Sequence, residues 1–268
     1  MTETEFVDTS KVSVREISKS IARDIIEKNH YSHKWTSCKY ALGIFHTEST
    51  PNTFFEGVNE KLIGCIVYGS PVGREAVSSI SDDIKTSEVL ELTRLWIADN
   101  YGKNIESYSI SQSFRWLKAN DANIKILISY ADPEYGHSGG IYRATNWTYQ
   151  GRGKLSSDHT VDYKDKGNYS IRLTENGKWI HSRTVGVMYG SRALANLKKE
   201  IGHSFWKKLE PTKHRYIYFL CNKKEKKRLL ATMKMPILPY PKSIGEFKPT
   251  IEKVVVKNPK EFFNGQTN

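Results

Sequence analysis

The chain has 268 residues, 38% of them hydrophobic, with a formal net charge of +12. That length holds one large domain or two small ones around a substantial core. The basic balance points to a polyanionic partner, nucleic acid first, with an inert basic surface as the plain alternative. Cys38, Cys65 and Cys221 lie far apart, which excludes a CxxC zinc spacing and a disulfide framework. No signal-peptide pattern opens the chain, and no apolar run approaches the length of a membrane span.

Residues 1–12 are polar and predict a frayed start. Val14, Ile17, Ile21 and Ile25 then recur at spacings of three or four, the stripe of an amphipathic helix. It ends near Asn29, a residue that tolerates the left-handed cap. His30, Tyr31, Ser32, His33, Lys34 and Trp35 follow directly. Two histidines three apart suit a metal, but two residues do not make a metal site. A loop of packed or hydrated rings is the plain reading. Residues 40–45, 61–68 and 89–97 read as strands, with Gly57 and Asn59 in the first turn between them. Residues 69–86, rich in Ser, Gly and Asp, read as a long loop. Within 91–97 polar and apolar side chains largely alternate, and Arg94 interrupts an apolar neighbourhood. A surface salt bridge is its plain role.

A loop at 99–105 leads into a helix at 105–118 whose core face is Ile110, Phe114 and Leu117. Backbone N–H groups at such a helix start can cradle a pyrophosphate. Gly102 supplies the loop's one glycine, Lys103 a charge and Asn104 an N-cap. The run from Ile124 to Ile128 reads as a buried strand, although periodicity alone does not exclude a helix; apolar on both faces, such a strand is central. Asp132 stands at its carboxyl end, where ligands bind in open α/β sheets. Pro133, Gly136, Gly139 and Gly140 mark a tight loop. Ile141, Ala144 and Thr148 share one helical face, and Tyr142, Asn146 and Tyr149 another. The expectation is strand, Gly-rich turn, helix. An Asp at such a position commonly caps the turn; a proton-accepting carboxylate is the sharper alternative.

Beyond Gly151, stretches around Val161, Ile171 and Trp179 read as hairpins of the same domain. Residues 192–209 predict a helix with Leu194, Leu197, Ile201 and Phe205 on one face, and 216–220 a strand. Between 198 and 234 lie 12 Lys or Arg and 3 Glu. Trp206, Tyr216, Tyr218 and Phe219 interleave with them, which suits phosphate contact plus base stacking. A solvated lysine-rich face is the plain reading. Lys223, Lys224, Lys226, Lys227 and Arg228 are the candidate DNA contacts. From Pro236 onward Pro, Lys and Gly dominate, so the expected organisation is one domain over 1–242 and a peripheral C-terminal tail over 243–268. There is no P-loop, no G-x-S-x-G elbow and no Cys/His deaminase signature.

Three strings, ELTRLWI at 91–97, ISYAD at 128–132 and GHSGGIYRATNW at 136–147, together resemble the Mom family of phage DNA adenine-modification proteins. That family is a divergent branch of the GCN5-related N-acetyltransferase superfamily. The resemblance runs from about residue 25 to 151 and more thinly to 242. It implies an α/β fold with a central mixed sheet flanked by helices. It implies acetyl-CoA as cofactor, with or without iron, and double-stranded DNA rather than a membrane as partner. The implied activity transfers an acetyl-CoA-derived group to N6 of adenine, giving a methylcarbamoyl-type base that protects DNA from restriction in the host cytoplasm. His30, Tyr31, Asp132 and Tyr142 are the implied catalytic group, converging on one pocket. Arg94, Leu95, Gly102, Lys103 and Asn104 are the implied acetyl-CoA contacts, and His30 with Asp132 the implied iron site. The adenine is expected to be flipped from the duplex, with Tyr31, Trp35 or Trp147 to stack on it. An ordinary N-acetyltransferase for a protein or small amine, and a non-catalytic DNA-binding protein, are the alternatives.

Overall fold

The first strand lies where a helix was expected. Val12–Glu16 (β1) alternates β-branched with polar residues, buries Val12 and pairs antiparallel with Tyr40–Glu48 (β2). The helix begins later, at Lys19–Asn29 (α1), because Ser18 caps it by accepting from the Ile21 amide at 3.3 Å. Phased from that cap, its buried residues are Ala22 and Ile26, and Ile21 is exposed. The computed structural model describes residues 6–48, 59–72, 75–152, 154–155, 161–162, 169–210, 212–241 and 250–256. Gly57, the first five residues and most of the expected tail lie outside these.

The three expected strands, β2, Asn59–Gly69 (β3) and Val89–Ile97 (β4), form an antiparallel meander. The expected loop at 69–86 contains Glu75–Ser78 (α2). Val77, Ile80 and Ile84, spaced three and four apart, join a buried cluster there. Ile105–Asn120 (α3) turns Ile110, Phe114 and Leu117 inward. Ile126–Ala131 (β5) is central: Leu127 and Ala131 enter one buried cluster, Ile126 and Ile128 another. Its neighbours are β4, in parallel, and His214–Phe219 (β12), antiparallel.

The helix expected to run through Tyr149 stops early. Gly140–Ala144 (α4) ends where the Thr145 hydroxyl donates to the Ile141 carbonyl at 2.7 Å and Asn146 turns left-handed with φ 60°. Thr148–Arg152 (β6) is a strand beside β12. The sheet order is therefore β1-β2-β3-β4-β5-β12-β6. Gly139 has φ +83°, and a Cβ there would lie 2.4 Å from the Tyr216 ring. Gly139→Ala should cost about 2–4 kcal/mol, from left-handed strain plus overpacking. A Tm equal to wild type would show that the ring yields without cost.

The chain forms two compact units: residues 1–131, 139–151 and 214–241, and residues 132–138, 152–213 and 242–268. The second has two short strands, Lys154–Leu155 (β7) and Val161–Asp162 (β8), and a four-stranded antiparallel sheet. Its order is Ile180–His181 (β10), Tyr169–Arg172 (β9), Phe205–Leu209 (β11) and Ile251–Val254 (β13). Ser182–Met188 (α5) and Leu194–Ile201 (α6) contribute Val185 and Leu197 to its core, beside Tyr169, Ile171, Phe205 and Val254. The helix expected over 192–209 is split, because Gly202 ends α6 at φ 71° and Phe205 starts a strand. Two pieces after Pro236 are ordered parts of the fold. Leu238 donates its amide to the Tyr149 carbonyl at 2.9 Å, and β13 pairs with β11. No helix among the described residues is long and apolar enough to cross a membrane.

Candidate active site

β4 and β5 run parallel through Val89↔Ile126, Leu90↔Leu127 and Glu91↔Ile128, and the ladder stops there. On the other side of β4 the register with β3 slips: Tyr68 faces Leu92 and Val67 faces Arg94, so Thr93 is an extra residue. Its hydroxyl donates to the Val67 carbonyl at 3.1 Å. Such a bulge bends its strand, and past Glu91 the parallel pair opens into a fork. Ser129, just beyond the last pair, donates its hydroxyl to the Leu92 carbonyl at 3.0 Å. A serine hydroxyl has one proton, so in the 2.7 Å contact between Ser129 Oγ and the Tyr142 phenol the tyrosine donates. A relay from Tyr142 through Ser129 to Leu92 thus spans the fork. Both side chains are buried.

Burial pushes the Tyr142 phenol up to about 12; the bond to Ser129 opposes this, and Tyr31 and Glu91 add to it. The same two residues act on Arg94, opposing the lowering that burial imposes on its guanidinium. Tyr31, Glu91, Arg94 and Tyr142 therefore share one electrostatic neighbourhood. Arg94 Nε donates to the Lys34 carbonyl at 3.0 Å, which ties the loop after α1 to β4. Leu95, on the same strand, pairs with Ile66 and packs on the core. As expected, α1 ends at Asn29 and delivers His30 and Tyr31, whose ring centroids lie 4.1 Å apart. Glu91 was missed in the sequence, because between Leu90 and Leu92 it reads as a solvent-facing alternation. Its carboxylate accepts from the Val72 amide at 2.8 Å.

The Ser32 amide donates to His30 Nδ1 at 3.1 Å, so Nδ1 holds a lone pair and the neutral ring keeps its proton on Nε2. The Nδ1 lone pair is taken up by the Ser32 amide and Nε2 carries the proton, so this tautomer leaves neither nitrogen open to a metal. Asp132 falls in the second compact unit, and His30, Tyr31 and Tyr142 fall in the first. Its carboxylate accepts from the Glu134 amide at 3.0 Å and pairs with Lys213 Nζ at 2.8 Å, the arrangement of a turn cap. Among the described residues no group of three or more His, Cys, Asp or Glu could hold a metal. These residues do not fit an iron site. Trp147 is fully buried, its ring centroid 5.1 Å from that of Tyr142, and cannot stack on a base from solvent. Trp35 is half-buried against the α1 side of the core, and Tyr31 is exposed.

The loop after β4 compensates for its single glycine. Asn100, Gly102 and Asn104 all adopt positive φ, at 73°, 99° and 69°. Asparagine tolerates that region better than other side chains. Backbone turns of this kind can gather N–H groups into an anion-binding nest, here at the start of α3. Contrary to expectation, the Asn104 side chain does not cap α3. Its carbonyl accepts from the Tyr108 amide at 2.9 Å, and the Lys103 carbonyl accepts from Val7 at 3.0 Å, which anchors the loop. The Lys103 side chain is exposed.

Lys223, Lys224, Lys226 and Lys227 are exposed on Lys223–Ala231 (α7). Arg228 is neutralised by Glu225 at 2.9 Å and Asp83 at 3.1 Å. Of the expected interleaving of aromatics with these cations, one contact forms among the described residues, Lys226 Nζ lying 5.1 Å from the Phe219 ring centroid. Tyr216 and Phe219 are buried, and Tyr218 stacks on Phe114 at 4.0 Å.

A seven-stranded sheet containing the parallel pair β4 and β5, flanked by helices, defines the class: a mixed α/β fold. The chain belongs to the Mom protein family, whose sequence pattern matches residues 11–242. The methylcarbamoylase Mom of Escherichia phage Mu is 27% identical over 240 residues, covering 87% of this chain and 85% of that protein. Among solved structures, a spermidine N-acetyltransferase from Vibrio cholerae in complex with CoA and spermine matches with a TM-score of 0.39 at 9% identity, over 79% of this chain and 96% of that one. An aminoglycoside acetyltransferase in complex with coenzyme A matches with a TM-score of 0.36 at 12% identity, over 55% of this chain and 90% of that one.

Proposed function

We propose that this chain transfers an acetyl-CoA-derived acyl group to the exocyclic amine of adenine in double-stranded DNA. The observation that carries this reading is the fork between β4 and β5, spanned by the Tyr142–Ser129–Leu92 relay. An extended pantetheine arm can pair with the β4 backbone around Arg94 and Leu95, where the β5 ladder has ended. Its pyrophosphate suits the nest at Gly102, Lys103 and Asn104.

The adenine amine is a weak nucleophile, because its lone pair is delocalised into the ring, so a proton must leave as the bond forms. Glu91, the carboxylate at the last ladder pair of the fork, is the proposed acceptor. Tyr142 is a poor acid for the leaving thiolate. Its phenol lies near 12 and an ordinary thiol near about 8.5, so that transfer runs uphill by on the order of 5 kcal/mol. The phenol acts instead as a hydrogen-bond donor, turning from Ser129 to the developing carbonyl oxygen. His30, protonated on Nε2, is a second donor, and Tyr31 stacks on the flipped base. None of these residues supplies the additional nitrogen of a methylcarbamoyl group, so acyl transfer is the step they explain.

Mass spectrometry of nucleosides from DNA of expressing cells tests the reading. A new N6-substituted adenine supports it. Acetylated protein beside unmodified DNA would favour an ordinary N-acetyltransferase. Calorimetry tests the cofactor. Acetyl-CoA should bind the wild type, and Lys103→Ala should weaken it about fivefold, since an exposed charge contributes on the order of 1 kcal/mol. No binding to folded wild type would sink the cofactor assignment.

A further inference from the structure

The two faces of the four-stranded sheet in the second unit are chemically opposite. Tyr169, Ile171, Phe205 and Val254 point into its core. The strand alternation puts Arg172, Trp206 and Lys253 on the other face. They also share one transverse row, because Lys253 is registered opposite Trp206 and Trp206 opposite Arg172. The pairing of Ile180 with Ile171 brings Trp179, one residue earlier, to the end of the same row. The Arg172 guanidinium carbon lies 4.9 Å from the Trp179 ring centroid and 5.4 Å from that of Trp206. Lys253 Nζ is 5.1 Å from the Trp206 ring, and Lys208 Nζ is 5.3 Å from Trp179. Cation and indole alternate from β13 through β11 and β9 to Trp179, the residue before β10.

Cation–π contacts alone could be structural, stiffening a small sheet. The charge balance argues for a ligand. Lys208 is matched by Glu134 at 2.7 Å. Among the described residues Arg172 and Lys253 have no carboxylate within ion-pair distance, and Arg172 Nε has no acceptor. The unit carries 18 Lys or Arg against 11 Asp or Glu, so +7 of the chain's +12 resides in it. Arg172 and Lys253 stand two strands apart, about 10 Å. The indoles hold these cations at fixed spacing.

We infer that this face, Lys253–Trp206–Arg172–Trp179, binds a nucleic-acid strand, with phosphates on the two cations and base faces against the indoles. Nucleic acid is the polymer that offers regular anions and π-faces together. An acidic protein supplies only the anions. The inference rests on the proposed reading of DNA as substrate and adds where DNA is held.

The test is fluorescence anisotropy of labelled duplex and single-stranded DNA with the full chain over a salt series. Arg172→Gln with Lys253→Gln should lower the slope of log affinity against log salt by about 2 and weaken binding about tenfold or more. Lys253→Gln alone, at an exposed position, should lower the slope by about 1 and serves if the double variant misfolds. Lys253→Arg should restore it. The comparison is neutralisation of Lys223, Lys224, Lys226 and Lys227 on α7. If that variant lowers the slope and the sheet variants do not, the inference is overturned while DNA stands as substrate. Displacement by polyglutamate as effective as by DNA would also overturn it. If the wild type binds neither probe, the DNA reading itself falls.

Discussion

Glu91→Gln should reduce DNA modification by about a hundredfold or more, the usual contribution of a positioned general base, while the protein stays folded. Glutamine keeps a side-chain oxygen for the Val72 amide, so the local backbone retains its partner. Activity within about tenfold of wild type, in a folded variant, would remove Glu91 from the chemistry. Asp132→Asn is the comparison: it keeps an oxygen for the Glu134 amide and loses a pair with the half-exposed Lys213. A pair of that kind contributes at most about 1 kcal/mol, so Tm should barely move.

Tyr142→Phe should lower the turnover rate by about a hundredfold to a thousandfold, the cost of one lost donor to a developing oxyanion. The ring stays packed against Trp147 and Tyr216, and Ser129 still donates to Leu92. The stability cost should be about 1 kcal/mol. The pH dependence checks the burial of the phenol. Burial raises the phenol from 10 to about 12. The neutral form is therefore favoured by folding, and that contribution is full below pH 10 and lost as pH rises through 12. Tyr142→Phe should remove this part of the alkaline destabilisation while leaving neutral-pH binding of acetyl-CoA unchanged. Turnover near the wild-type rate would remove Tyr142 from the chemistry.

The sequence was most legible where residues act alone. The central strand announced itself through Ile126 to Ile128, apolar on both faces, and α3 through Ile110, Phe114 and Leu117. Boundaries set by one residue's backbone were not legible. Ser18 shifts the start of α1, Asn146 cuts α4 short and Gly202 splits the expected helix at 192–209. Each is a common residue whose cap or left-handed turn depends on tertiary context. Within the candidate site, His30, Tyr31 and Tyr142 could be named from the resemblance, but the relay could not. Ser129 lies in plain view between Ile128 and Tyr130, and its role arises only from the stagger of β5 against a bulged β4. The tautomer of His30 was likewise hidden, since it is fixed by the Ser32 amide. Asp132 showed the reverse. Its capping geometry was predictable from composition, and nothing local separates that from catalysis.

The place of β12 has a consequence for how the chain is made. In the sheet β12 lies between β5 and β6, yet in sequence it follows β6, and residues 152–213 come between. At a synthesis rate of about 5–20 residues per second, on the order of 4–18 s separate the emergence of β5 from that of β12. During that interval the apolar strand Ile126–Ala131 has one edge unpaired, a template for wrong partners. The nascent chain is most open to aggregation then. Slower initiation or a lower expression temperature, which thin the population of such half-built sheets, should raise the soluble yield more than any change at the finished surface.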